Sequence, residues 1–279
     1  TYFKGTNPYL HAAWDEQLGV FRRDRPAAGF PVRAPGYMEV GRVSETSSDA
    51  VAVGDLVAMA YGHKTAHTVD PMVDRFLPLP PDLDPVLGIY VAHMGPICAN
   101  GLLHAAADAA GPGAIQLGDG VRGRHVLVTG AGVVGLLVAL FARHHGAAEV
   151  LVADATPARL AVARDLGLDA VDDADGTAWR SVKERWRRDP TDCGADVVFQ
   201  CRGRTAALAG ALRSLRPQGT VVDLAFYQGG APDLALGEEF HHNGLAIRCA
   251  QIGRVPRGTA HLWDRRRLAA ETVGLLRAD

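Results

Sequence analysis

The chain has 279 residues, a formal net charge of −2 and a hydrophobic fraction of 48%. This length allows one large domain or two ordinary ones around a substantial core. The balanced charge gives no electrostatic argument for a nucleic acid or an anionic membrane as a partner. No stretch approaches twenty apolar residues and the start, TYFKGTNPYL, has no basic-then-apolar layout, so we expect neither a membrane span nor a signal peptide.

The four cysteines, at positions 98, 193, 201 and 249, form no CxxC pair. The close spacing of a structural zinc site is therefore absent. Small buried thiols in a reducing cytoplasm are the expectation, because these cysteines mostly stand among apolar residues and glycines.

The first eighty residues are irregular and rich in proline. Short valine-rich runs such as VGRV and VGDLVAMA lie between turn residues, which predicts short strands of a barrel or sandwich. The proline-rich stretch LPLPPDLDP at 77–85 is the predicted domain boundary. The small, apolar segment that follows predicts packed helices that are interrupted near Gly95 and Pro96.

From residue 124 the chain alternates between short apolar runs and helical patterns. The predicted strands are HVLVTG, EVLVADA, ADVVFQC and GTVVDLAF. The predicted helices between them are VVGLLVALFARHHG, TPARLAVARDLGLDA, the basic amphipathic GTAWRSVKERWRRDP, and TAALAGALRSL. Alternation of wholly apolar strands with helices indicates an α/β fold, a doubly wound parallel sheet covered on both faces.

A glycine motif links the first of these strands to its helix. The spacing is Gly130-x-Gly132-x-x-Gly135, with Val133 and Val134 opening the helix. A lone GxGxxG is weak evidence, but this one follows a buried strand and precedes a second strand that ends in Asp154. That context predicts a dinucleotide site, with the pyrophosphate at the helix N-terminus.

Asp154 bears on the choice of dinucleotide. A carboxylate at the end of the second strand accepts hydrogen bonds from a ribose diol and repels a 2′-phosphate, so NAD is the predicted cofactor. Arg159 lies nearby and could soften this repulsion, which leaves NADP possible. An equally good interpretation is that Arg159 lies on the surface of the helix and has no role in cofactor binding.

The chain resembles the medium-chain dehydrogenase/reductase superfamily, the relatives of zinc alcohol dehydrogenases. The resemblance runs from about residue 31 onward through PGYMEVGRV, VGDLVAM, FLPLPPDLDP, VLVTGAGVVGLL, ADVVFQCRGR and RPQGTVVDLAF. It implies a GroES-like catalytic barrel joined to a Rossmann domain. We therefore expect an incomplete GroES-like domain at 1–85, a Rossmann domain at 86–256, and at 257–279 a helix leading back toward the catalytic domain.

The resemblance also places cofactor contacts and exposes missing ligands. Expected contacts beyond the glycine motif are Cys201, Arg202, Leu224, Phe226, Ala250 and Ile252, for which sheet core is the alternative interpretation. Zinc-using members have Gly-His-Glu-x-x-Gly where this chain has Gly36-Tyr37-Met38-Glu39-Val40-Gly41. A third ligand position falls near Pro96, which has no donor atom. We expect no metal, because a zinc site needs three protein ligands.

Chemistry without zinc requires hydrogen bonds to a developing alkoxide or enolate and a side chain that moves a proton. Tyr37 stands where the metal ligand would be, and the segment GHKTAH resembles one found in zinc-lacking relatives. The candidate catalytic residues are therefore Tyr37, His63, His67 and Asn100. The alternatives are a barrel-core aromatic for Tyr37, surface loop residues for the histidines, and a helix cap for Asn100.

The leading hypothesis is a zinc-independent NAD(P)-dependent oxidoreductase that acts on a hydroxyl or carbonyl group of a small or medium-sized molecule. A metal-free enoyl or quinone reductase and a catalytically silent nucleotide-binding protein are the alternatives. The run GLAIRCA at 244–250 is expected to form a sheet edge that joins a homodimer, because an apolar edge is a liability when uncovered. Family members extend beyond both ends of this sequence, so a fragment, the ordered portion of a longer protein and a degenerate member all remain open.

Overall fold

The computed structural model describes residues 7–24, 26–31, 36–70 and 72–278. Within these ranges the strands, numbered in chain order, are β1 Ala13–Asp15, β2 Val20–Arg22, β3 Glu39–Arg42, β4 Leu56–Met59, β5 Phe76–Pro78, β6 His125–Thr129, β7 Glu149–Asp154, β8 Asp169–Asp172, β9 Ala195–Gln200, β10 Leu215–Asp223 and β11 Ala246–Cys249. The α-helices are α1 Pro85–Ala92, α2 Met94–Ala110, α3 Val133–His144, α4 Pro157–Asp165, α5 Ala178–Arg185, α6 Thr205–Ser214, α7 Glu239–His242 and α8 Arg265–Ala278.

The largest sheet has six parallel strands in the order β11-β10-β9-β6-β7-β8. Its central strands are continuous apolar runs, which is why they can be covered on both faces. The strand order reverses between β6 and β9, and in doubly wound sheets a ligand crevice opens at the carboxyl ends of the strands at this point. The predicted α/β doubly wound fold is confirmed.

Helices cover both faces of this sheet. Val126 and Val128 of β6 belong to a core cluster with α2, α3 and α8, whereas Leu127 belongs to a cluster with α5 and α6. This division follows the two-residue period of a strand. The alternation of the apolar run therefore assigns each side chain of β6 to one layer of helices.

Two smaller sheets precede the large one. Strands β3, β4 and β5 form an antiparallel sheet, and β1 pairs with β2 in a separate hairpin. Helix α1 packs against β3 and β4. A third core cluster joins Ala58 of β4 to Val91 of α1 and Ala269 of α8.

Helix α8 takes part in two of these cores. Leu268 and Leu275 lie in the core of the parallel sheet, and Ala269 lies in the cluster with the three-stranded sheet. A side chain on Gly95 would place its Cβ 2.1 Å from Cγ2 of Thr272, so α8 lies directly against the start of α2. The division into domains at 1–85, 86–256 and 257–279 stays a prediction.

The helices of the segment 85–110 separate at His93, close to the predicted interruption near Gly95 and Pro96. The backbone of His93 is not helical, with φ −153° and ψ −52°. Pro96 stands in the first turn of α2, where the missing N–H needs no intrahelical partner. The proline is therefore accommodated inside the helix, and the break occurs before it.

Strand β8 was not expected. It pairs with β7 as the outer strand of the sheet, and two of its four residues are aspartates that are largely exposed. An edge strand this polar has no buried-strand pattern, so the preceding helix was predicted to extend into this segment. In the part of the chain that the structure describes, no single helix is long and apolar enough to span a membrane, although the bent pair of α1 and residues 94–113 would suffice by length and composition.

Candidate active site

The turn between β6 and α3 is built so that only glycine fits two of its positions. Gly130 has φ +106°, a left-handed conformation that favours glycine. A Cβ on Gly135 would lie 1.6 Å from the carbonyl oxygen of Gly130, whereas a Cβ on Gly132 would meet nothing within 4 Å. Gly132 is the N-cap of α3 and no side chain caps the free amide groups. The open N-terminus of α3 therefore suits an anionic pyrophosphate.

Asp154 closes β7 beside this turn and is 2% exposed. Its Oδ2 accepts a hydrogen bond from the backbone N–H of Ala131, and its Oδ1 accepts one from Thr156, both at 2.8 Å. Burial disfavours the charged form, but these hydrogen bonds outweigh it and hold the pKa of the carboxyl below its ordinary value. A carboxylate has further lone pairs, so Asp154 can still accept a ribose hydroxyl.

Two arginines lie near this carboxylate. The Nη1 atom of Arg159 is 3.9 Å from Oδ2 of Asp154. Arg202 crosses the turn, because a Cβ on Gly130 would lie 2.7 Å from its Cγ, and its Nη1 reaches Oδ2 of Asp173 at 3.1 Å. The aspartate fits a ribose diol and the guanidinium groups fit a phosphate, so the donor set accommodates NAD or NADP.

Helix α2 contacts the turn and the end of β10 together. The thiol of Cys98 lies 3.4 Å from the carbonyl oxygen of Val134, the second residue of α3. A Cβ on Gly101 would lie 2.9 Å from a methyl group of Leu224, which follows β10. The small residues of α2 therefore bring two of the predicted cofactor-contacting positions against one helix.

The described hydrogen bonds of Asn100 go to backbone, and its catalytic role stays a prediction. It is fully buried, and its Nδ2 donates to the backbone oxygens of Gln251 at 3.4 Å and Arg254 at 3.2 Å. It therefore holds in place the segment after β11 that carries Ala250 and Ile252. These hydrogen bonds fix the backbone of that segment, and no described contact links Asn100 to Tyr37.

Cys201 continues β9 beyond its carboxyl end. Its backbone N–H donates to the carbonyl of Thr129, which holds the end of β9 beside the end of β6. Burial, and then the nearby Asp223 carboxylate, raise the pKa of the Cys201 thiol well above its ordinary value. The thiol is therefore neutral, and Phe226, which follows the end of the neighbouring strand β10, is 54% exposed.

Tyr37 is not a core aromatic, because half of its surface is exposed. His63 lies close by: its ring packs on Gly36, where a Cβ would be 2.2 Å from Nε2. Gly36, at φ +83°, is thus doubly required, by its backbone conformation and by the histidine ring. The structure brings together two of the predicted catalytic residues, Tyr37 and His63, around one glycine.

His67 belongs to a neighbouring group. Its ring lies against Tyr61 at 4.4 Å between centroids, and its Nδ1 is 3.2 Å from Nζ of Lys64. The side chain of Glu39 accepts a hydrogen bond from the backbone N–H of Lys64. Glu39 therefore ties β3 to the histidine-bearing loop.

Sequence reasoning missed two residues beside Tyr37. The ring of His93 makes an edge contact with Tyr37 at 5.1 Å between centroids. Arg265, the first residue of α8, has its Nη2 3.0 Å from Nδ1 of His93. His93 was not proposed from the sequence, because no local signal connects it to an arginine 172 residues later.

The residues at the expected zinc position do not fit a zinc ion. Tyr37, Met38 and Pro96 replace the donors that zinc prefers, the thiolate, imidazole and carboxylate groups. Across the described residues, no group of three or more His, Cys, Asp or Glu side chains is placed to hold a metal ion. Independence from zinc stays a prediction.

Known proteins support the family. Residues 133–263 match the family model described as zinc-binding dehydrogenase. A protein of Agrobacterium fabrum named "Putative D-xylulose reductase" is 31% identical over 220 residues, which cover 69% of this chain and 60% of that protein. The D-guloside 3-dehydrogenase of Escherichia coli is 27% identical over 278 residues, 95% of this chain and 73% of that protein. Over most of its length the chain is therefore similar to dehydrogenases of the medium-chain dehydrogenase/reductase superfamily.

Solved structures of this superfamily share the fold. A "putative zinc-binding dehydrogenase" of Sinorhizobium meliloti, solved bound to NADP, superposes with a TM-score of 0.62 at 21% identity and covers 85% of this chain and 71% of that one. The alcohol dehydrogenase of Thermus sp. ATN1 superposes with a TM-score of 0.60 at 21% identity, covering 87% of this chain and 72% of that one. At this identity the likeness shows fold alone, and the predicted class of Rossmann sheet plus partial GroES-like barrel is confirmed.

Two glycine substitutions should separate packing from nucleotide binding in this chain. Gly135→Ala forces its Cβ into the carbonyl of Gly130, so we expect the free energy of unfolding to fall by about 1–3 kcal/mol. Gly132→Ala meets open space, so it should cost little stability but weaken NADH binding by crowding the pyrophosphate. Urea unfolding and NADH fluorescence titration measure the two effects, and equal stability losses in both variants would contradict this assignment.

Proposed function

We propose that the protein is an NAD(P)-dependent oxidoreductase that transfers hydride to or from a hydroxyl or carbonyl carbon. The observation that carries this proposal is the turn at Gly130–Gly135, with a free helix N-terminus beside the buried, charged Asp154. This combination fits a dinucleotide, and a protein that binds no nucleotide has no need of it. The chain spans 60% of the length of the xylulose reductase relative, so the activity of the whole protein is part of the proposal.

A bound nicotinamide would supply the hydride donor or acceptor. The residues of this chain would bind the pyrophosphate at α3, accept the ribose at Asp154, and enclose the crevice with Leu224, Cys201 and Phe226. Tyr37 then offers a hydroxyl beside the crevice, and the structure shows no hydrogen bond to that hydroxyl among the described residues. We propose that it holds the substrate oxygen and moves a proton to or from it.

For the substrate, we propose a polyol or a sugar-like alcohol and the corresponding carbonyl compound. The named relatives are a xylulose reductase and a guloside dehydrogenase, and a further structural neighbour from Escherichia coli is a galactitol-1-phosphate dehydrogenase. The polar loop with Tyr61, His63, Lys64 and His67 is suited to hydroxyl-rich molecules, because these side chains offer donors and acceptors. A panel of polyols with NAD or NADP, followed by absorbance of the reduced cofactor, tests this substrate class.

Two further proposals concern the state of the protein. Strand β11 is the outer strand of the parallel sheet, and Ile247 on it is 38% exposed. We propose that this edge joins a homodimer, as expected from the sequence. A cytoplasmic location stays a prediction.

We expect the purified protein to hold no stoichiometric zinc, because its residues at the expected ligand positions are Tyr37, Met38 and Pro96. Elemental analysis after dialysis against metal-free buffer measures this, with a canonical zinc-containing alcohol dehydrogenase dialysed in parallel. Retention of one zinc per chain would contradict the proposal.

The cofactor preference should depend on Asp154. We expect NADH to bind more tightly than NADPH, and Asp154→Ser to weaken NADH binding and to narrow the gap, because the change removes a ribose acceptor and a negative charge. Asp165→Ser is the matched control, since it removes the same charge from the far end of α4. Tighter NADPH binding by the unchanged protein would overturn the assignment, and thermal shifts with each cofactor provide the measurement.

Tyr37→Phe should separate catalysis from packing. The ring and its contact with His93 remain, so folding and NADH binding should survive, whereas turnover should fall by roughly 10²–10⁴, the usual contribution of a positioned acid or base. Steady-state kinetics with the polyol found in the panel measures this. Tyr90→Phe, a change on α1 outside this group, is the control. Unchanged turnover in Tyr37→Phe would show that the hydroxyl has no catalytic role.

A further inference from the structure

His93 occupies the break between α1 and α2, which leaves its ring free to point away from both helices. The non-helical backbone at this residue separates the end of α1 from the start of α2. The ring meets Tyr37 edge-on, with 68° between the ring planes. His93 is therefore the residue through which the buried helix α2 reaches the proposed proton-transfer group.

The contact with Arg265 defines the protonation state of this ring. A guanidinium has only donors, so a hydrogen bond of 3.0 Å from Nη2 of Arg265 requires an unprotonated Nδ1 on His93. The imidazole is then neutral and carries its proton on Nε2. Burial, and then the charge of Arg265, lower the pKa of His93, in agreement with this form.

Nothing else near the ring favours its cationic form. Burial lowers the pKa of Arg265, and repulsion by the nearby charge of Arg75 lowers it further. Within the described ranges, no carboxylate forms an ion pair with His93 or Arg265, and no hydrogen bond occupies Nε2 of His93. The groups that contact the ring are therefore Tyr37 and Arg265, with Arg75 acting on Arg265, which leaves a neutral ring with an unused Nε2–H donor.

We propose that Nε2–H of His93 donates a hydrogen bond to the substrate oxygen, and that Arg265 is the positioning residue that keeps this donor neutral and correctly oriented. The inference rests on the proposed oxidoreductase function and adds a second group to its oxygen site. His93 neither gains nor loses a proton: it stabilises the negative charge that develops on the oxygen, while Tyr37 moves the proton. A fixed donor of this kind contributes most where water is excluded.

The first measurement needs no substrate. Protein labelled with ¹⁵N-histidine, with His93→Phe to assign the resonances, should show His93 as the neutral Nε2–H form with a pKa below that of an ordinary histidine. In Arg265→Met the two neutral forms should mix and the pKa should rise, whereas Arg265→Lys should retain part of the preference. Arg266→Met, an exposed neighbour on α8, should leave the His93 spectrum unchanged.

The second measurement uses NADH titration and kinetics with the substrate from the polyol panel. His93→Phe keeps an aromatic ring against Tyr37 but removes the donor, so turnover should fall by roughly 10²–10³ while NADH affinity stays the same. Arg265→Met should lower turnover less than His93→Phe does. The pH profile of turnover in Arg265→Met should gain a histidine-like titration, which a purely structural role of Arg265 would not produce.

The outcomes separate this inference from the proposed function. A His93 ring that carries its proton on Nδ1, or that is unaffected by Arg265→Met, overturns the inference, as does full turnover in His93→Phe. Failure of the unchanged protein to bind NADH or NADPH overturns the oxidoreductase proposal, and with it the role of His93 toward a substrate. The expected spectrum together with a His93-dependent turnover supports both.

Discussion

The close packing of helix α2 is the constraint on which the rest of the site depends. One helix contacts the glycine turn at Val134, the end of β10 at Leu224 and the segment after β11 through Asn100. Close packing against α2 also needs small residues elsewhere. A Cβ on Gly120, in the turn before β6, would lie 2.3 Å from the backbone of α2. A helix rises about 1.5 Å per residue, so the distance along α2 from His93 to the point where the helix contacts Leu224 is about 12 Å. A buried helix thus acts as a rigid spacer between the cofactor crevice and Tyr37.

Helix α8 fixes the other end of this spacer. Its apolar residues enter both the core of the parallel sheet and the cluster behind the three-stranded sheet, so it couples the two. Thr272 occupies the space that a larger residue than Gly95 would need. Because Arg265 begins the same helix, the packing that positions α8 also sets the hydrogen bond to His93. A change in the apolar face of α8 would therefore reach the site through backbone position rather than through direct contact.

The sequence sufficed for the features that depend on local pattern. The strand, glycine turn and helix around Gly130 were predicted because apolar run length and glycine spacing are local properties. Strand β8 was missed because an exposed edge strand needs no apolar pattern. The partners of Asn100 could not be predicted, because a buried amide takes whichever partners the fold brings to it, here two carbonyl groups. The His93–Arg265 pair could not be predicted, because it depends on how a distant helix packs.

We propose an oxygen site in which fixed hydrogen bonds take the part that a metal charge plays in zinc-dependent dehydrogenases. A metal ion stabilises a developing alkoxide by charge, and a neutral imidazole supplies far less charge but a defined direction. Burial, and then the charge of Arg265, disfavour a cationic His93, so its surroundings favour the neutral form. In this proposal the tyrosine hydroxyl moves the proton while the histidine only donates a hydrogen bond. Tyr37 at the expected ligand position and the arginine that contacts His93 would then belong to one arrangement.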